Sequence, residues 1–444
     1  MTTGEPTPAA AASQPERNLS VRQASFIGVG SMVGAGIFAL LGAAGEVAGS
    51  AVWVSFLLAG GVAAVQGYSF AKLGARYPSA GGFLEYMIRG WGQGHFTGAI
   101  AWMMLAVNAI ITAMVAVSFG NYASAAVADS PRWTSLFAVL ILLVMTSLNI
   151  LGSHVVARAQ TLVVIIVVGI LTVFSVATLS NLDPELLAFS GYPSLRQIIS
   201  SVALTFFAFL GFGVITFTAG DMKDPKRQLP RAVYLALLIA TVVYVAVAIG
   251  VFGTLTVDEV ISSGGTALAV AAEPVLGTAG YWLMSVTALV ATAGATNSGL
   301  FPAAGLGEQM ASAGQFPPIM ARRVGGRAPM GILVTVVVAI VLAVFFDLTA
   351  IASLGSAVAL VVFTVVTWGH LRIRSETGAQ RWVLIVAEVT TLVVLAAFAA
   401  TTLVDEPATA VAFVAILVLS VALDRAWKSR AGRLPSEDPP LTTR

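Results

Sequence analysis

The 444-residue sequence contains no cysteine. That excludes disulfides, thiol nucleophiles and cysteine-ligated metal centres. Charge is scarce as well: Asp, Glu, Lys and Arg make up 10% of the chain, against about 25% in soluble domains. Its three histidines, His95, His154 and His370, lie at the edges of apolar segments without metal-ligand spacing. No glycine-rich phosphate loop and no His/Asp pair at apolar depth is present, so neither nucleotide hydrolysis nor a membrane-embedded hydrolase has a residue set to rest on. What remains is apolar. The chain is 58% hydrophobic with a mean hydropathy of +0.92, the composition of a polytopic membrane protein. Residues 1–18 are rich in Pro, Ala and Thr and lack an apolar core, which predicts a disordered tail and not a signal peptide.

A membrane span needs about 20 predominantly apolar residues. By that measure the sequence predicts an all-α protein with twelve spans, at 22–44, 50–71, 95–125, 133–151, 157–179, 197–219, 231–253, 277–302, 330–346, 348–369, 382–403 and 408–424. The third and eighth exceed the requirement and imply tilt or extension beyond the bilayer. Loop charges support the count. With both termini in the cytoplasm and the sides alternating, every one of the 23 Lys and Arg falls inside except Arg132 and Arg196. The positive-inside rule expects this asymmetry, and one span more or fewer would scramble it. The net charge of +2 thus reflects a belt facing anionic lipid, not a nucleic-acid surface.

Two spans are interrupted by glycine. The first carries GVGSMVGAGIF (Gly28–Phe38), and the sixth carries TFFAFLGFGVITFTAG (Thr205–Gly220). Each glycine inside a helix costs about 1 kcal/mol relative to alanine, so such clusters mark a packing face or a break. Alone, the GxxxG spacing of Gly30 and Gly34 reads as a dimerisation face. Paired interruptions at corresponding positions point instead to an inverted-repeat transporter. The repeats would be about 22–179 and 197–369 within a core of 19–369, followed by helices eleven and twelve in 370–424 and a cytoplasmic tail at 425–444. Half-helix N-termini present free N–H groups suited to a carboxylate, and C-terminal ends present carbonyls suited to an ammonium group. Together they make a receptor for a zwitterion built from backbone.

These residues carry a resemblance. GSMVGAGIF (Gly30–Phe38) resembles the first-helix motif of amino acid permeases of the amino acid–polyamine–organocation superfamily. FLGF (Phe209–Phe212), DMKDPKRQLPRA (Asp221–Ala232), YPSAGG (Tyr77–Gly82) and SAGQFP (Ser312–Pro317) resemble further elements of that family in the expected order. The resemblance implies a LeuT-like 5+5 inverted repeat with broken helices one and six and two additional C-terminal helices. It implies that the amides near Gly34, Ala35 and Gly36 hold a substrate carboxylate, and that the carbonyls near Met32, Val33 and Leu210 hold its amino group. Phe207 falls at an aromatic gate. Gly211 lies within the sixth-span motif, and Gly213 replaces a position often acidic in relatives. A fifth-span lysine common in relatives falls near Val167 and is absent.

Other polar residues admit two readings each. Asn108 in span three either lines the pocket or bonds a neighbouring helix. Thr292, Thr296, Asn297 and Ser298 in span eight either hold a coupling ion, with Thr296 and Ser298 foremost, or cap their own helix. Glu388 is the one acid placed well inside a span and reads as a structural bond or a dimer contact. The loop Asp221–Arg231 reads as a solvated surface that sets topology, with a gate latch as the alternative. The expected function is secondary active transport of amino acids, neutral ones above all, across the cytoplasmic membrane by alternating access. No cofactor is implied beyond a coupling ion, Na+ or H+, and the partners are a small-molecule substrate and the bilayer; oligomeric state is unspecified. The competing readings are a transporter of cationic amino acids, polyamines or other organocations, an exchanger, a channel, and a non-transporting sensor or scaffold.

Overall fold

The structure, a computed structural model, describes residues 19–79, 82–128, 130–151, 154–324 and 328–431. Nearly all of them are helical. Ser20 opens the first helix with a capping box: its Oγ accepts the Gln23 N–H at 3.3 Å, and Gln23 Oε1 accepts the Ser20 N–H at 3.0 Å. This satisfies two of the four amides every helix start leaves free. Helix α1 (Val21–Ala35) gives way at Gly36 to α2 (Ile37–Ala48), followed by α3 (Val52–Arg76), the short α4 (Phe83–Trp91), α5 (His95–Ala128), α6 (Thr134–Leu151) and α7 (His154–Ser180).

A second capping box, between Ser194 and Gln197, opens α8 (Leu195–Phe207). Residues 208–211 form a turn, and α9 (Phe212–Phe217) continues beyond it. Then come α10 (Pro225–Phe252), α11 (Val257–Ser263), α12 (Ala267–Ser312), α13 (Met330–Phe345), α14 (Leu348–Arg372), α15 (Arg374–Thr377), α16 (Arg381–Ala400), α17 (Thr402–Asp405) and α18 (Pro407–Ala431). Among the described residues, nine helical stretches are long and apolar enough to cross a membrane, and two more apolar helices, Thr134–Ile150 and Met330–Phe345, are shorter.

Some boundaries differ from the sequence expectation. Helix α12 is 46 residues long and bends at Gly277, whose φ of 69° is open to glycine alone at low cost. The expected start of the eighth span falls on that bend. Helix α18 runs to Ala431, past the expected tail start at 425, because its last turns bury a charged pair described below. The ring of helices presents apolar side chains outward: Val411, Val414 and Val418, three and four residues apart on α18, are 70%, 53% and 62% exposed. A stripe of this kind requires a hydrocarbon surround. The core lies where α1, α8 and α9 are enclosed by α3, α5, α10, α12 and α14.

Candidate functional site

The two glycine-rich segments lie against one another. A Cβ on Gly211 would stand 2.7 Å from the Met32 nitrogen and 2.7 Å from the Ser31 carbonyl carbon. A Cβ on Gly36 would stand 2.5 Å from the Ala208 Cβ and 2.7 Å from the Tyr244 hydroxyl. Each interruption is therefore seated on the other, and only a missing side chain allows it. Gly34 makes the same approach to α12, where a Cβ would meet the Ala291 carbonyl oxygen at 2.6 Å. The GxxxG face thus packs within the chain along α12.

The interruptions differ in depth. Gly36 stays near helical geometry, with φ −87° and ψ −73°, and its N–H is donated to the Met32 carbonyl at 2.9 Å. Along the sixth segment the bonding changes to an i→i+3 pattern: the amides of Ala208, Phe209 and Leu210 bond to the carbonyls of Thr205, Phe206 and Phe207, at 2.9 to 3.2 Å. The Tyr244 hydroxyl on α10 donates to the Ala208 carbonyl at 3.2 Å.

Beside the turn lies a cavity of about 40 Å³, room for a water molecule or two. Leu210, Gly213 and Asn108 line it, with Phe70, Phe217 and Phe363 among its apolar walls. Gly213 faces open space there. The Nδ2 of Asn108, one of the lining residues, is buried and has no hydrogen-bond partner among the described residues, a donor left unsatisfied beside the cavity. Met32, Val33 and Phe207 are buried but are not among its lining residues; Val33 lines the smaller void described next, and the Phe207 ring packs against Gly355 on α14. Ala35 closes α1; its side chain lies outside the described residues. A smaller void of about 10 Å³ is lined by Gly30, Gly34, Val163, Val167 and Ala291. Its walls carry no charge.

Comparison with known proteins matches this arrangement to a family. The profile described as "Amino acid permease" covers residues 19–423. The chain belongs to the amino acid permease family. It is similar to the inner membrane transport protein YbaT of Escherichia coli, 35% identical over 375 residues that span 84% of this chain and 87% of that one. It is also similar to a vacuolar cationic amino acid transporter of Arabidopsis thaliana, 30% identical over 53% of this chain and 43% of that one. A manganese transporter from Eremococcus coleocola has the same fold, with a TM-score of 0.63 at 15% identity over 92% of this chain and 95% of that one. The protein is accordingly a multi-pass membrane transporter.

In this transporter the span-eight hydroxyls bond within α12: Thr296 to the Thr292 carbonyl at 2.9 Å, Ser298 to the Gly294 carbonyl at 3.1 Å and Thr292 to the Ala288 carbonyl at 2.7 Å. Asn297 accepts from Asn149 on α6 at 2.7 Å. Among the described residues no cluster of His, Asp or Glu has the makings of a metal site. Glu388 is buried in α16 with neither carboxylate oxygen bonded among the described residues. The expected loop Asp221–Arg231 is helical from Pro225 onward, where α10 begins behind its N-cap Asp224, and the Arg227–Asp224 pair there is exposed at 3.8 Å.

Sequence reasoning missed two features. One is the repeated start SVRQ (Ser20–Gln23) and SLRQ (Ser194–Gln197), each a capping box, each followed at similar distance by an interruption. The other is a buried ion pair on α18, Lys428 Nζ to Asp424 Oδ1 at 2.6 Å, with His95 Nδ1 bonded to Asp424 Oδ2 at 2.7 Å. Lys428 also donates to the Gly94 carbonyl and to Gln315 Oε1, so it ties α18 to the start of α5 and to the SAGQFP segment. The i,i+4 spacing of Asp424 and Lys428 was the available signal.

Proposed function

We propose that the protein is a secondary transporter moving neutral amino acids across the cytoplasmic membrane by alternating access, with twelve spans, both termini cytoplasmic and a 5+5 inverted repeat. The observation that carries this reading is the mutual seating of the two interruptions, Gly36 on Ala208 and Gly211 on Met32, beside a cavity that contains one unsatisfied amide donor. Backbone groups at such a junction suit the carboxylate and ammonium that all amino acids share.

The repeat is supported by the helix pairings. Exchanging α1, α2, α3, α5, α6 and α7 for α8, α9, α10, α12, α13 and α14 turns most of the principal contacts into others. Thus α1–α9 becomes α8–α2, α1–α10 becomes α8–α3, α1–α7 becomes α8–α14, and α5–α14 becomes α12–α7. The packing of α1 along α12 has no principal α8–α5 counterpart.

The preference for neutral substrates follows from the lining. No acid borders the cavity, so a basic side chain or a polyamine has no partner there, whereas Phe70, Phe217 and Phe363 suit apolar groups. Among the described residues no charged side chain lines either void to hold a coupling ion; Thr296 and Ser298 keep their acceptor lone pairs and are the candidates for sodium. Proteoliposome uptake across neutral and basic amino acids, with sodium and pH gradients imposed separately, tests the reading. Accumulation of neutral amino acids that neutral competitors displace is the expected result. Displacement by lysine or arginine above all neutral competitors would overturn the substrate class, and no uptake or counterflow under any gradient would overturn transport.

A further inference from the structure

We propose that the groove between the end of α14 and the start of α16 binds the phosphate headgroup of an anionic phospholipid. The groove is an open pocket of about 370 Å³ lined by Leu371, Arg372, Arg374, Arg381 and Ile385. Its three arginines have no carboxylate within ion-pair distance among the described residues. The nearby acid in the same turn, Glu376, is engaged elsewhere: its Oε2 accepts the Tyr77 hydroxyl at 2.5 Å. Burial and that carboxylate push the Tyr77 phenol up to about 12, which keeps it a donor to Glu376 throughout the neutral range. Arg372 is held in place by the face of Trp91, with its guanidinium carbon 4.9 Å from the ring centroid. That contact leaves its positive charge uncompensated.

The groove also has the setting of a lipid site. It lies where two membrane-length helices meet a polar connection, the depth at which headgroups sit. Below it, exposed apolar side chains continue toward the hydrocarbon: Ile385, Val389 and Leu392 on α16, and Trp368 on α14. Trp382, 65% exposed beside Arg381, has the apolar ring and N–H that favour the membrane interface. A soluble anion would use the guanidinium groups and leave this stripe uncovered. A phospholipid uses both, its phosphate on the planar donors and its acyl chains along the stripe. The lipid would bridge α14 to α16, and the inference does not depend on what the protein carries.

The test is a thermal-unfolding titration of the purified full chain in detergent, giving an apparent Kd for each additive. Dioleoylphosphatidylglycerol is expected to stabilise the protein saturably, while dioleoylphosphatidylcholine, inorganic phosphate and glycerol phosphate are not. Each cation near the surface contributes about fivefold in affinity, so R374Q/R381Q should weaken phosphatidylglycerol binding about thirtyfold. R374K/R381K should retain most of it, and R227Q, an exposed arginine in the first turn of α10, should leave it unchanged. The single variants R374Q and R381Q, about fivefold each, decide the matter if the double variant does not fold. Equal stabilisation by phosphatidylcholine, equal stabilisation by free phosphate, undiminished affinity in the glutamine variants, or an equal loss in R227Q would each overturn the proposal.

Discussion

The first and sixth helical segments are both interrupted by glycine, and the two interruptions touch, yet they are built differently. At Gly36 the chain departs from the helix for a single residue, and the amide there still reaches the Met32 carbonyl. Across Ala208–Gly211 the bonding tightens to i→i+3, and the Ala208 carbonyl takes a bond from Tyr244 on another helix. The neighbours differ as well. Gly211 abuts the Ser31–Met32 backbone and the Met32 side chain, and Gly36 abuts the Cα and Cβ of Ala208 and the Tyr244 hydroxyl. An alanine Cβ moves only with its backbone, so of these neighbours only the Met32 side chain and the Tyr244 ring can step aside. Each segment therefore limits how closely the other can approach.

Alanine at each glycine sharpens this contrast, because both backbones are right-handed helical, φ −58° at Gly211 and −87° at Gly36, and accept any residue. The effect then reports contact, not conformation. The largest is expected from G211A. Its methyl group would overlap the Met32 nitrogen, so stability should fall by about 3 kcal/mol and uptake should be abolished. G36A should cost about 2 kcal/mol, because Tyr244 can rotate away while the Ala208 Cβ cannot, and should slow uptake without eliminating it. If thermal melts of the two purified variants rank in the opposite order, the tighter contact lies at Gly36 and not at Gly211.

Y244F removes one hydrogen bond to the turn and should cost about 1 kcal/mol. Since the same hydroxyl is what the Gly36 methyl would strike, the double variant G36A/Y244F should be less destabilised than the sum of its parts. Additivity would mean that Tyr244 does not couple the breaks. The smallest stability effect belongs to G213A, within about 0.5 kcal/mol, since nothing lies within 4 Å of the added methyl. That methyl enters the cavity, however, so KM should rise more for bulky neutral amino acids than for small ones. Uniform KM values across that panel would remove the cavity from the substrate's path.

Much of this architecture was legible in composition. Apolar runs located the helices, because hydrocarbon forces every backbone group to find its partner within the segment. The start of α12 was misplaced, because the helix begins at Ala267 and runs through a bend at Gly277, where the span was expected to start. The candidate site was legible in part. Leu210, Gly213 and Asn108 do meet at one cavity, whereas Thr296 and Ser298 turn their hydroxyls to their own helix. The buried Asp424–Lys428 pair was hidden, because a charge that reads as tail in one dimension can be covered by a helix hundreds of residues away, here the start of α5.

The sequence by itself determined that this is a helical membrane protein with two glycine-interrupted segments, since hydropathy and backbone chemistry act locally and leave a linear trace. Only the tertiary structure decided what each glycine is for. Gly34 admits α12, Gly36 admits Ala208 and Tyr244, Gly211 admits the Ser31–Met32 backbone, and Gly213 admits nothing but space. A missing side chain is the same in every line of sequence, and its meaning is set by the atoms that the fold brings within a few ångströms of it.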